Sequence, residues 1–124
     1  MAADSSELVI SHPQWRQIED DIRGLDGKYR TLVILGQENT ESDYMVVGGG
    51  KDRLYWCGIY DKEGREFVVV DPSKSSTTCV KVPTGQPTSV PLKETIGLED
   101  AVTAAREYAE TGQRTTKLAW EERK

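Results

Sequence analysis

Apolar residues recur along this chain at two periods, and each period predicts a different element. Trp15, Ile18, Ile22 and Leu25 follow at spacings of three, four and three, which puts them on one helical face. Glu19, Asp20, Asp21 and Arg23 fall largely on the other side. Ser11 is an N-cap candidate, Pro13 suits the first turn, and Gly24 with Asp26-Gly27 supplies the stop. The pattern predicts a helix over residues 13–23. A second helix is predicted over residues 98–110, where Leu98, Ala101, Val102, Ala105, Tyr108 and Ala109 share a face. Glu99 and Asp100 favour its N-terminus through the helix dipole, and Gly112 suits a left-handed C-terminal position.

Between the helices the period shortens to two. Residues 29–35 are rich in β-branched side chains and predict a strand. A polar loop over 37–43, with Glu38, Glu41 and Asp43, leads to a second strand over 44–47. Gly48-Gly49-Gly50 reads as a flexible hairpin turn needing positive φ, followed by the charged turn Lys51-Asp52-Arg53. In a third strand, 54–60, Leu54, Trp56, Gly58 and Tyr60 lie on one face and Tyr55, Cys57 and Ile59 on the other. Asp61-Lys62-Glu63-Gly64 signals a hairpin into a central strand, 66–70. A short fifth strand over 79–82 and a weak sixth over 88–96, with Pro91 marking an edge or bulge, complete the sheet. The tail 118–121 is too short for a helix and is expected to dock through Trp120. The order gives an α+β fold: an antiparallel sheet of five or six strands, with an N-terminal and a C-terminal helix packed on one face. Residues 1–124 read as a single domain, with 1–10 expected as a flexible tail.

Composition narrows the functional classes. The net charge of -5 argues against direct nucleic-acid binding, which needs clustered Lys and Arg. No segment approaches the roughly 20 apolar residues of a membrane span. The start of the chain lacks a basic stretch followed by an apolar run, so no signal peptide is expected and the location is expected to be cytoplasmic. Cys57 and Cys79 read as reduced, half-buried strand residues.

Candidate chemistry is sparse. His12 is the only histidine and has neither an orienting partner nor a nucleophile beside it in sequence. Neither cysteine has metal-ligand spacing, so no metal or cofactor is expected. The glycine run is followed by another strand rather than by the helix a phosphate loop requires. No catalytic residue is expected, and the chain reads as a binding protein rather than an enzyme. Trp56 and Tyr60 share a strand face, which makes them partner-binding candidates if that face is exposed.

The C-terminal region carries a pattern in order: Ala104-Ala105-Arg106 and Tyr108 on the helix, then Gly112, then Trp120-Glu121. Together with the strand end Val46-Val47-Gly48-Gly49-Gly50, this resembles family one of the immunity proteins of bacterial polymorphic-toxin systems. The resemblance covers residues 44–122 and is strongest from Leu98 onward; Tyr108 stands where the family more often has Phe. It implies an immunity-protein domain that binds and neutralises a cognate toxin domain by occluding its active site. It also implies a basic toxin that acts on nucleic acid, a deaminase or a nuclease. Glu38, Glu41 and Asp43 would then meet basic residues of the toxin, with Trp56 or Tyr60 as an apolar anchor. The alternative is a small acidic protein-binding or regulatory module with no toxin partner.

Overall fold

The computed structural model describes residues 7–10, 14–36 and 44–123. Its main body is a six-stranded sheet. In chain order the elements are β1 (Glu7–Ile10), α1 (Trp15–Arg23), β2 (Leu32–Gly36), β3 (Tyr44–Gly49), β4 (Tyr55–Tyr60), β5 (Glu66–Val70), β6 (Cys79–Pro83), β7 (Pro87–Pro91), α2 (Leu98–Thr111) and β8 (Ala119–Arg123). The sheet order is β1-β2-β3-β4-β5-β8, while β6 and β7 form a separate two-stranded sheet. The α+β class is as the sequence predicts, with both helices packed over one face.

Two ends of the chain depart from expectation. Residues 7–10, expected within a flexible tail, form an edge strand parallel to β2. A parallel pair needs a crossover between its strands, and α1 supplies it. The sequence signal was the apolar run Leu8-Val9-Ile10. At the other end, the docking segment is β8, antiparallel to β5. Leu118 and Trp120 pack on the core while Ala119 and Glu121 face outward, a period of two that a strand satisfies. The Trp120 indole N–H donates to the Thr115 carbonyl at 2.9 Å.

The first helix begins at Trp15, with Gln14 as its N-cap; the expected caps at Ser11 and Pro13 lie outside the described residues. Ile18, Ile22 and Leu25 are buried, as the spacing predicts. The following strand starts later than expected, at Leu32 rather than Tyr29. The cause is local: one oxygen of Asp26 accepts the backbone N–H groups of Lys28, Tyr29 and Arg30 at 2.8, 2.8 and 2.9 Å. That holds the segment in a turn and leaves Tyr29 exposed.

The glycine run is also corrected. Gly48 and Gly49 belong to β3, paired with Trp56 and Tyr55. The turn proper is Gly50 to Leu54, closed by the Gly50 N–H donating to the Leu54 carbonyl at 3.0 Å. At Gly50, φ is 103°, and a Cβ there would lie 2.5 Å from the Leu25 carbonyl oxygen, so only glycine fits.

Residues 88–96 do not form one strand of the main sheet. Pro83, Pro87 and Pro91 lie at the ends of β6 and β7 and remove backbone donors there. After Pro91 a short 3₁₀ turn, Leu92–Glu94, returns the chain, and Ile96 exchanges two 2.9 Å backbone hydrogen bonds with Tyr55. The α2 helix buries Ala101, Ala104, Ala105 and Tyr108 and ends at Gly112 with φ 74°. Ala109, predicted on the buried face, is exposed, and Ala104 takes a place there instead. Arg23 joins the two helices, pairing with Glu19 at 2.8 Å and with Glu99 at 3.0 Å.

Candidate functional site

The face of the sheet away from the helices carries Trp56, Val68, Val46 and Tyr60. The β6–β7 hairpin lies across part of it and seals Val82 and Val90 against Trp56 and Val68. Beside the hairpin an open groove of about 290 Å³ remains. Leu32, Ile34, Tyr44, Val46, Trp56 and Tyr60 line it, Thr84, Thr88 and Val90 form the wall on the hairpin side, and Arg123 is its one charged lining residue. Its volume sits at the floor of the range for small-molecule sites, which suits one protein side chain better than a cofactor.

Tyr44 and Tyr60 face each other across the β3–β4 ladder and stack, with ring centroids 4.9 Å apart and planes 15° apart. Beneath them Trp56 lies flat over Gly58; a Cβ on Gly58 would come within 2.5 Å of the indole. The Trp56 N–H donates to Glu94 at 3.2 Å. Arg123 donates to the same Glu94 oxygen at 2.7 Å and lies 3.6 Å from Glu66. The Tyr60 hydroxyl donates to Glu66 at 2.7 Å. Burial, then this hydrogen bond, pushes the Tyr60 phenol above its ordinary value and keeps it a donor. Nearby, Lys93 pairs with Glu121 at 2.7 Å. Arg123 is thus held between two carboxylates, Glu66 and Glu94, while Lys93 and Glu121 form a separate pair.

A larger groove, about 570 Å³, runs between the helices beside Trp15. Of its six charged lining residues, Arg23 pairs with Glu19 and Arg106 with Glu110 at 2.9 Å, and Glu107 and Lys117 stand beside them. Its lining is mostly charged, with Trp15 and Val102 as its apolar part, so it lacks the apolar wall of a binding pocket and its size does not make it the better site.

A family model described as immunity protein Imm1 matches residues 7–122. The chain belongs to the Imm1 family of immunity proteins. No curated protein matches it. Membership in Imm1 implies a toxin protein as partner.

The Imm1-like pattern seen in sequence serves mainly to hold the fold. Ala104, Ala105 and Tyr108 are at most 1% exposed under α2. Gly48, Gly49 and Gly50 shape the β3–β4 hairpin, Gly112 ends α2, and Trp120 with Glu121 lies on β8. The proposed contact residues divide three ways. Tyr60 lines the groove. Trp56, a candidate only if its strand face were exposed, is 5% exposed because the β6–β7 hairpin covers it, so it backs the groove wall rather than presenting a surface. Glu38, Glu41 and Asp43 lie outside the described residues. Their loop leaves the sheet at Gly36 and re-enters it at Tyr44, residues paired across β2–β3, and Tyr44 is in turn paired with Tyr60. The turn at Lys51, Asp52 and Arg53 is at the far end of the same hairpin.

Sequence reasoning missed Tyr44, Glu66, Glu94 and Arg123. For Tyr44 a signal existed: a hairpin closed at Gly50 and Leu54 places residue 44 opposite residue 60. The Glu94–Arg123 pair joins a 3₁₀ turn to the last strand, and nothing local in sequence announces it.

His12 lies outside the described residues. Cys57 is fully buried, which pushes its thiol well above the ordinary range, whereas Cys79 is exposed on the rim of β6. Neither is half-buried as expected, because β4 is covered on both faces and β6 on one. Both are free thiols. Among the described residues, no group of three or more His, Cys, Asp or Glu side chains could hold a metal ion, and no helix is long and apolar enough to cross a membrane.

Proposed function

We propose that this immunity protein acts in the cytoplasm by binding a basic toxin domain that attacks nucleic acid, a deaminase or a nuclease, and covering its active site. The Imm1 match over residues 7–122 is the observation that carries this reading. The net charge of -5 supports it, since a toxin that grips phosphates needs a basic groove and an acidic partner is steered toward one. Glu38, Glu41 and Asp43 are the steering acids in this account, and Tyr60, backed by Trp56, is the anchor. Inhibition requires no bond-making by the immunity protein; excluding nucleic acid from the toxin is sufficient.

The test is titration of the purified chain into the toxin domain encoded beside it, reading nucleic-acid modification. The expected result is complete loss of activity at a stoichiometric ratio. Changing Glu38, Glu41 and Asp43 together to Ser is expected to slow association and to flatten its salt dependence. An unaffected toxin would refute the function, and an unchanged on-rate with unchanged salt dependence would remove the loop from it.

A further inference from the structure

We infer that the two turns at one end of strands β2 to β4, residues 26–30 and 50–54, form a second contact with the toxin and receive a carboxylate-bearing segment of it. This rests on the toxin-binding reading and goes beyond it by naming a further surface and the chemistry it takes. The two turns are packed into one unit, so close that a Cβ on Gly27 would lie 2.5 Å from the Lys51 Cβ. Asp26 fixes the first turn through three backbone N–H groups, and the Leu54 N–H closes the second by donating to the Lys51 carbonyl at 3.1 Å. Two residues on this rigid base are not accounted for by folding. Tyr29 is 62% exposed, the one large hydrophobic side chain so exposed among the described residues. Arg53 has φ 62°, next to Asp52 at 57°, a left-handed backbone that glycine adopts without strain and other residues do not. Tyrosine and arginine are also the residue types that anchor protein interfaces.

The local charges select the occupant. Lys28, Lys51 and Arg53 are exposed and form no ion pair with another described residue, whereas Arg23, Arg65, Lys93, Arg106 and Arg123 are all paired. The Lys28 ammonium stands 5.0 Å from the Tyr29 ring centre, so a cation and an aromatic ring are offered together. Arg30 is turned back onto Gly24, and the Asp26 carboxylate is engaged by its three N–H groups. That leaves Asp52 alone against three cations, an excess that a carboxylate would relieve and another cation would worsen. The net charge of -5 repels a nucleic acid along its whole length, while one carboxylate at contact distance feels chiefly these neighbours. The patch also adjoins the groove, because β2 begins at Leu32, which lines the groove and pairs with Gly48 of β3. A partner seated along the groove therefore meets the turns at its end.

Binding would be measured by calorimetry against the catalytically inactivated toxin domain encoded beside this chain, with a thermal melt of every variant. Arg53→Gly relieves the left-handed backbone and removes a cation. It is expected to melt no lower than the unmodified chain and yet to bind about fivefold or more weakly. Lys51→Glu is expected to bind about tenfold or more weakly than Lys51→Gln, since a like charge across an interface repels. Tyr29→Ala carries the test should a Lys51 variant melt early: so exposed a ring adds little to the fold, and its loss is expected to weaken binding with the melt unchanged. Equal binding by Lys51→Glu and Lys51→Gln would mean an uncharged occupant and would overturn the inference. Unchanged binding by Arg53→Gly and Tyr29→Ala would overturn it too, placing the turns outside the interface while leaving toxin binding intact. A single-stranded oligonucleotide bound by the unmodified chain and released by Lys51→Glu would give the patch to nucleic acid instead, against the inference. If the unmodified chain fails to bind the toxin domain, the functional reading fails and this inference with it.

Discussion

On one face of the six-stranded sheet, α1 and α2 close over Val33, Met45, Val47 and Cys57 until each is 1% exposed or less; on the other, the β6–β7 hairpin seals Trp56 and Val68 but stops short of Leu32, Ile34 and Tyr44. The helix face buries its central strand residues completely, and the two helices are joined by the Arg23–Glu99 pair. The opposite face leaves apolar and aromatic surface half-covered beside Arg123, which Glu66 and Glu94 hold. Burying apolar surface yields roughly 25 cal/mol per Å², and folding has already collected that on the helix face. What is uncollected on the groove face is available to a partner. One sheet thus has two different faces: one specifies the fold, and the other is the surface that the proposed function gives to the toxin.

The sharpest way to break this division is to truncate one residue on each face. Met45→Ala on the helix face should cost about 3 kcal/mol or more, because the fully buried site cannot collapse, with toxin affinity unchanged wherever the fold survives. Ile34→Ala in the groove should cost only about 1 kcal/mol in stability, as expected of a half-buried side chain, but should weaken toxin binding. Denaturant unfolding and calorimetry read the two effects, and equal losses of stability would erase the contrast. Trp120→Ala comes next: the ring is half-buried, packs on the helix-side core and donates to Thr115, so about 2 kcal/mol is expected from a thermal melt.

The smallest effect is electrostatic and lies at the turn after α1. Three backbone N–H groups hold the Asp26 carboxyl below its ordinary value of 3.8. Its contribution is therefore complete above that value and is lost as pH falls through the depressed folded value. Asp26→Asn should flatten the decline in stability below pH 3.8 and leave the groove's affinity unchanged. An acid titration with the same slope as wild type would show that these bonds carry no linkage.

How much of this could be read from the chain depends on distance along it. The helices were readable because Ile18, Ile22, Ala101, Ala105 and Tyr108 repeat at a period their own backbone imposes. The alternation of β4 was readable for the same reason, and it separates Cys57 from Trp56 correctly. What was not readable is what lies against each face. Trp56 looked like an exposed aromatic because the β6–β7 hairpin that covers it comes some way later in the chain and leaves the main sheet altogether. The proline spacing that ends those strands was visible, but the sheet they avoid was not. The contact site was half-readable: Tyr60 was found, while Glu94 and Arg123, which shape the groove from a turn and the final strand, meet only in three dimensions.

The division of labour between the faces is tested most directly by hydrogen–deuterium exchange of the chain alone and bound to its inactivated toxin domain. Backbone amides in loops report a covered surface without any substitution. The account predicts slowed exchange in peptides containing Tyr44, Tyr60 and residues 84–88, which line the groove, and in the peptide carrying the proposed steering acids Glu38, Glu41 and Asp43, with little change in α1 and α2. Protection confined to Trp15–Arg23 and Leu98–Thr111, with the groove segments exchanging as in the free protein, would contradict it.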